Sequence, residues 1–255
     1  MEAPAETEKT QHVRKGKVLV VGVGGLGCPA ALTLAQAGVG TIGLIDPDVV
    51  DLSNLQRQIL HATPDIGRPK VDSAREKLLR INPAIAVVTY HQRLSVENLP
   101  TIFLDYDFII DGTDGVATKF LINDGAVLLG KPFSYAGIVQ FHGQTLTVWP
   151  GRSTCLRCLF PEIPSTDDVP TCQESGIIGS LAGSIGTLQA TEALKYLSGE
   201  DDLLTDRLLT YDALALHWRE VRVRRSRHCP LCGESPTITA FDAVSYEQTL
   251  ACASV

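Results

Sequence analysis

Four cysteines stand in two Cys-x-x-Cys pairs, Cys155-Leu-Arg-Cys158 and Cys229-Pro-Leu-Cys232. Each pair puts two thiolates on one tight turn, and two such turns can close a tetrahedral sulfur site around Zn2+. A closed site of this kind leaves no open coordination position, so its expected role is structural. In small zinc domains the metal contributes on the order of 10 kcal/mol of folding free energy. A redox reading would need a Cys-x-x-Cys at a helix start near the N-terminal strand, and neither pair lies there.

Ahead of the cysteines lies a glycine loop, Gly22-Val-Gly-Gly-Leu-Gly27, directly after the apolar run Lys17-Val-Leu-Val-Val21. At a strand-to-helix junction the amides of Gly22, Gly24, Gly25 and Gly27, with the helix N-terminus, can hold phosphate. Asp46 ends the next expected strand, near the offset of about 20 residues at which a carboxylate bonds ribose hydroxyls. The bland alternative for such a loop is a tight turn. The stretch Asp51-Leu-Ser-Asn-Leu-Gln-Arg-Gln58 is polar. Asn54, Arg57 and Gln58 can share one face of a helical turn, because offsets of three and four are neighbours. Lys70 follows Arg68-Pro69 at a helix start, where a cation opposes the helix dipole and calls for an anion to compensate it. Arg57 and Lys70 together suit a triphosphate, or else belong to a solvated charged face. Ile109-Ile-Asp-Gly-Thr-Asp-Gly115 ends an apolar strand with two carboxylates. Asp114 there can hold Mg2+ against phosphate oxygens, while Asp111 or Asp114 can instead cap the following helix.

These residues need a frame. The chain has 255 residues, enough for one large domain with a full core. Apolar runs and helical stretches alternate. Strands are expected at 18–21, 41–46, 85–90, 108–111, 133–138, 144–149, 208–212 and 218–224. Helices are expected at 25–38, 70–81, 118–129 and 177–197. The fold class is α/β: a Rossmann-like, mostly parallel sheet with helices on both faces, a C-terminal antiparallel extension and a four-cysteine zinc site. Residues 1–15 are expected as a flexible tail, 16–234 as the nucleotide-binding domain with its zinc site, and 235–255 as a second tail. The net charge of −7 argues against a general nucleic-acid binder, which needs a basic surface. No run reaches the roughly 18–20 apolar residues of a membrane span. Seven cysteines without a secretory leader point to a reducing cytoplasm.

In order and spacing, GVGGLG, LIDPDVVDLSNLQRQ, IGRPKVDSA, DGTDG, TCQESGIIG with GSIGTLQATEALK, and the two cysteine pairs resemble the ubiquitin-activating superfamily. The nearest type is the bacterial MoeB/ThiF/HesA adenylyltransferases. The resemblance runs from about Lys17 to Cys232. It implies ATP as substrate, Asp46 at the ribose, Asn54, Arg57 and Lys70 at the phosphates, and Mg2+ at Asp114. It also implies a partner, a small ubiquitin-like sulfur carrier with a C-terminal Gly-Gly tail. Further expectations are a homodimer and a separate sulfur donor such as a cysteine desulfurase or a rhodanese. Cys172 matches the family's loop cysteine, which in some members attacks the activated carrier or bears a persulfide; a thiol at a helix start is the more nucleophilic for it. The family's Arg-Tyr-x-Arg-Gln-like segment upstream of the first strand does not occur in Met1–Gly16. Two other readings are a dehydratase of the same superfamily that activates threonylcarbamoyladenosine on tRNA, and a non-catalytic scaffold that keeps the fold.

Overall fold

The computed structural model describes residues 8–164, 178–241 and 246. The elements in chain order are α1 (Glu8–Lys15), β1 (Lys17–Val21), α2 (Gly27–Ala37), β2 (Thr41–Ile45), α3 (Lys70–Ile81) and β3 (Ala86–Tyr90). Then follow α4 (Leu99–Leu104), β4 (Phe108–Asp111), α5 (Val116–Leu128), β5 (Phe133–Val139) and β6 (His142–Val148). The chain continues with α6 (Leu156–Leu159), α7 (Gly179–Leu197), β7 (Arg207–Asp212) and β8 (His217–Arg222). Two 3-10 turns, Leu52–Asn54 and Thr63–Asp65, lie between β2 and α3.

The strands form one sheet in the order β3-β2-β1-β4-β5-β6-β7-β8. Neighbours from β3 to β5 run parallel, and β5 to β8 pair antiparallel. This is the expected architecture, antiparallel extension included. Side chains alternate across a strand, and the β1 run splits accordingly. Val18 and Val20 join Ile42, Leu44, Phe108 and Ile110 under α2, α3 and α7. Leu19 and Val21 join Ile109 and Phe133 under α4 and α5 on the other face. Small residues let α7 approach α2: a Cβ on Gly186 would lie 2.2 Å from the Leu26 carbonyl oxygen.

Two expectations are corrected. Glu8–Lys15, assigned to a flexible tail, is a helix that buries Val13 and receives the Gly40 amide on the Val13 carbonyl. Its polar composition hid it, since it buries a single side chain. Within the second expected tail, 235–255, Ile238 and Tyr246 are buried in the main core cluster. Among the described residues no helix is long and apolar enough to cross a membrane.

Candidate functional site

The glycine loop turns from β1 into α2 in a conformation that demands glycine. Gly22 has φ of 86°, in the left-handed region. A Cβ on Gly27 would stand 1.8 Å from the Gly22 carbonyl oxygen, so the turn closes only without one. Beside Gly24 the space is open; the sole atom within 4 Å of a Cβ there would be Gln58 Nε2, at 3.7 Å.

Asp46, at the end of β2, is buried against this loop. Its Oδ2 accepts the Val23 amide at 2.7 Å and its Oδ1 the Asp48 amide at 2.8 Å. Burial pushes its pKa above the ordinary carboxylate value, and Lys70 and these two amides act against that push. Each oxygen keeps a second lone pair for a ribose hydroxyl. The anion that the cation at the start of α3 calls for is Asp48: Lys70 Nζ lies 2.8 Å from its Oδ2. The Lys70 side chain is only 7% exposed and Asp48 is 58% exposed, so this buried ammonium points from the protein toward its open surface.

The turn after Leu52–Asn54 places Arg57 over Gly25, with Arg57 Cδ 3.7 Å from where a Gly25 Cβ would be. One Arg57 nitrogen donates to Asn54 Oδ1 at 2.7 Å, which orients the fork. Gln58 is buried next to Gly24, and its Oε1 has no hydrogen-bond partner. A buried polar atom without a partner costs free energy, and an acceptor there calls for a ligand donor, such as a nucleoside hydroxyl or amino group; phosphate oxygens, acceptors themselves, fall to the glycine amides, Arg57 and Lys70. The residues present therefore fit a nucleoside phosphate.

The β4 loop abuts the same glycine turn, for a Cβ on Gly22 would lie 2.9 Å from the Gly112 carbonyl oxygen. Asp111 neither caps α5 nor faces the open side. It is fully buried, accepts the Thr113 amide and hydroxyl on Oδ1, and pairs through Oδ2 with Lys119 Nζ at 3.1 Å. Lys119 Nζ also donates to the Thr113 and Ala136 carbonyls at 2.7 and 2.6 Å. Sequence spacing gives no sign of this lysine, which holds the loop that presents Asp114. Asp114 itself is exposed. The loops after β1, β2 and β4 thus converge at the carboxyl edge of the parallel sheet, where such sheets bind ligands. Cys172 lies outside the described residues.

The second centre is the cysteine cluster. Cys155 Sγ lies 3.9, 3.6 and 3.4 Å from the sulfurs of Cys158, Cys229 and Cys232, and Cys158 lies 3.4 Å from Cys232. A tetrahedron with Zn–S of about 2.3 Å has sulfurs about 3.8 Å apart, so the set fits Zn2+. The Ser226 amide donates to Cys158 Sγ and the Cys232 amide to Cys229 Sγ, both at 3.4 Å. Behind the cluster, Asn123 Oδ1 accepts the Leu156 amide at 2.8 Å. Asp124 pairs with Arg157 at 2.6 Å and accepts the Tyr246 hydroxyl at 2.7 Å. α5 thereby supports both the Asp114 loop at its start and the cysteine turn near its middle.

Comparison with known proteins follows the same line. The model of the ThiF family matches residues 2–231. A sulfur carrier protein adenylyltransferase of Thermus thermophilus is 43% identical over 245 residues, covering 94% of this chain and 90% of that protein. The "Probable adenylyltransferase/sulfurtransferase MoeZ" of Mycobacterium tuberculosis is 43% identical over 242 residues, 93% of this chain and 60% of that one. The chain spans little more than half the length of several such two-function relatives. Among solved structures, E. coli MccB with ATP superimposes with a TM-score of 0.79 at 21% identity, covering 88% of this chain and 69% of that one. At that identity the likeness is one of fold.

Proposed function

This chain belongs to the ThiF family, and from that premise we propose that it adenylates the C-terminal carboxylate of a small ubiquitin-like sulfur carrier protein. The observation that supports this most is the convergence of two loops on the glycine turn: the Arg57–Gln58 turn beside Gly24 and Gly25, and the β4 loop that carries Asp114, against Gly22 and Gly27. A carboxylate is a poor electrophile. Its oxygen attacks the α-phosphorus of ATP, the bond from that phosphorus to the bridging oxygen breaks, and pyrophosphate leaves with the electron pair. The carrier is left as an acyl-adenylate, a mixed anhydride open to a sulfur nucleophile. The attacking group is already ionised at neutral pH, so no general base is needed.

What the protein must supply is position and charge. The loop amides and the start of α2 receive phosphate oxygens. Arg57, oriented by Asn54, retains free N–H donors for the β- and γ-phosphates. Lys70 uses one of three donors on Asp48 and keeps two for phosphate. The unpartnered Oε1 of Gln58 can accept from a hydroxyl or amino group of the nucleoside, and Asp46 takes the ribose hydroxyls. Asp114 holds Mg2+, which when bound adds positive charge against the polyphosphate oxygens. Zn2+ bound at the four cysteines would tie the Cys229–Cys232 turn to the Cys155–Cys158 turn beside α5, a structural role outside the transfer.

The partner of that activity is a sulfur carrier, as the name of the Thermus relative suggests. The sulfur donor is a desulfurase or a rhodanese, the working form is a homodimer, and the compartment is the cytoplasm. Incubation with ATP, Mg2+ and purified carriers ending in Gly-Gly, followed by mass spectrometry of the intact carrier, tests the reading. The expected product is a carrier heavier by one adenylyl group. Unmodified carrier across a panel of such proteins would defeat it.

A further inference from the structure

We propose that His61 is a positioning residue for the nucleotide, holding the Val23 carbonyl inward so that the Gly24 amide is presented outward to phosphate. The inference rests on the reading of the glycine turn as an ATP site.

His61 sits in the chain just past Gln58 and is 6% exposed. Its Nε2 lies 3.1 Å from the Val23 carbonyl oxygen, and its Nδ1 lies 3.0 Å from Ser73 Oγ on α3. A carbonyl oxygen only accepts, so Nε2 carries the proton. Lys77 Nζ, which only donates, gives a hydrogen bond to Ser73 Oγ at 2.9 Å. The Ser73 hydroxyl proton has two takers, Nδ1 and the Asp65 carboxylate; with Nε2 protonated and the ring neutral, Nδ1 has only a lone pair to offer and receives it. For the neutral ring the relay then runs from Lys77 to Ser73, from Ser73 to Nδ1, and from Nε2 to Val23. Burial, the largest influence, lowers the pKa of His61; the hydrogen bond to the Val23 carbonyl opposes it, Lys77 and Lys70 act with burial, and Asp65 acts against it; with the net shift downward, the ring is neutral at pH 7.

The Val23 carbonyl has a second donor, Cys28 Sγ at 3.4 Å. Burial pushes that thiol up to about 12, so it keeps its proton and donates. On its other side, the Val23 amide is held by Asp46 at 2.7 Å. Both peptide planes at Val23 are therefore pinned from within the protein. In a planar trans peptide the carbonyl of one residue and the amide of the next point in opposite directions. Turning the Val23 carbonyl toward His61 turns the Gly24 N–H away from it. Among the described residues that N–H meets no acceptor. A glycine pair without side chains has little of its own to resist rotation of this peptide, so the imidazole does what the local sequence cannot.

The test compares His61→Leu, which removes the donor, with His61→Gln, whose side-chain amide nitrogen replaces Nε2. Calorimetric titration of ATP with Mg2+ should show affinity reduced about tenfold in the leucine variant, the worth of one mispresented donor to a charged group. The glutamine variant should bind within about twofold of wild type on the same scale. A second readout needs no activity. With 15N-labelled histidine, the resonances that disappear in His61→Gln should be those of a neutral, Nε2-protonated ring at pH 7. An imidazolium or an Nδ1-protonated ring would overturn the relay even if His61→Leu fails to fold. Wild-type binding matched by His61→Leu would overturn the positioning role alone. Failure of the wild type to bind ATP would sink the nucleotide reading beneath it, while the tautomer measurement would still judge the relay.

Discussion

Replacing Asp124 by alanine should unfold the protein at a much lower temperature and loosen the cysteine cluster. Asp124 is fully buried, and its two oxygens accept four donors: Asn123 Nδ2 and Arg157 Nε on Oδ1, Arg157 Nη2 and the Tyr246 hydroxyl on Oδ2. Four acceptor sites is about the capacity of an ionised carboxylate, so none is left over. Asp124→Ala leaves the Arg157 guanidinium, with 4% of its side chain exposed, as an unpaired buried charge. Removal of one partner from such a pair costs about 3–5 kcal/mol. For a domain of this size each kcal/mol moves Tm by roughly 2–4 °C, giving a fall of about 6–20 °C. Scanning calorimetry measures it directly. Taking out both charges, Asp124→Leu with Arg157→Met, should recover much of the loss, because an apolar pair in place of a buried ion pair is often neutral. Tyr246→Phe should lie between, at about 1.5–3 kcal/mol, for one hydrogen bond to a charged group. A change under about 1 kcal/mol in Asp124→Ala, or a double variant worse than the single, would refute the account of this network, which turns on an orphaned charge.

Other outcomes follow from the same geometry. Purified protein should contain about one zinc per chain, and Cys155→Ser, at the sulfur that meets the three others, should lose metal and fold together; a folded, zinc-free protein would end the structural role. Acid should weaken the fold through His61: its folded pKa is lowered, so the unfolded chain takes up a proton near pH 6.5 that the folded one refuses. Stability should therefore fall as pH drops below about 6.5, by at most about 1.4 kcal/mol per pH unit. Denaturant titrations at several pH values should show a shallower slope for His61→Gln, and equal slopes would contradict the assignment. On sequence resemblance alone, Cys172→Ala should keep adenylate formation and reduce thiocarboxylate yield; loss of adenylation in a folded variant would show that the two steps were assigned wrongly.

The chemistry-bearing residues were legible where the signal is local. Strands β1, β2 and β4 announce themselves as apolar runs ending in Gly or Asp, and α3 runs from Lys70 to Ile81 as its proline and Asn-Pro punctuation requires. The cysteine spacing foretold a cluster whose sulfurs lie within 4.8 Å of one another. What escaped depends on partners distant in sequence. Lys119 matters because β5 brings the Ala136 carbonyl to it. His61 is a lone histidine in a loop until α3 places Ser73 beside it. Tyr246 reaches Asp124 across 122 positions, and no composition signal in 235–255 marks it. The helix α4 spans six residues with proline in its first turn, too short for a periodic pattern to emerge.

Exchange of labelled pyrophosphate into ATP tests the central claim most directly, because it reports the reversible attack of a carboxylate on the α-phosphorus and nothing later. With Mg2+ and a cognate carrier ending in Gly-Gly, the wild type should exchange label. Deleting the carrier's last glycine should abolish that exchange, and so should Asp114→Ala in this chain. The exposed Asp114 side chain can be removed without disturbing the fold, so calorimetry on that variant should match wild type. Exchange that proceeds without a carrier, or that survives intact in Asp114→Ala, would contradict the account.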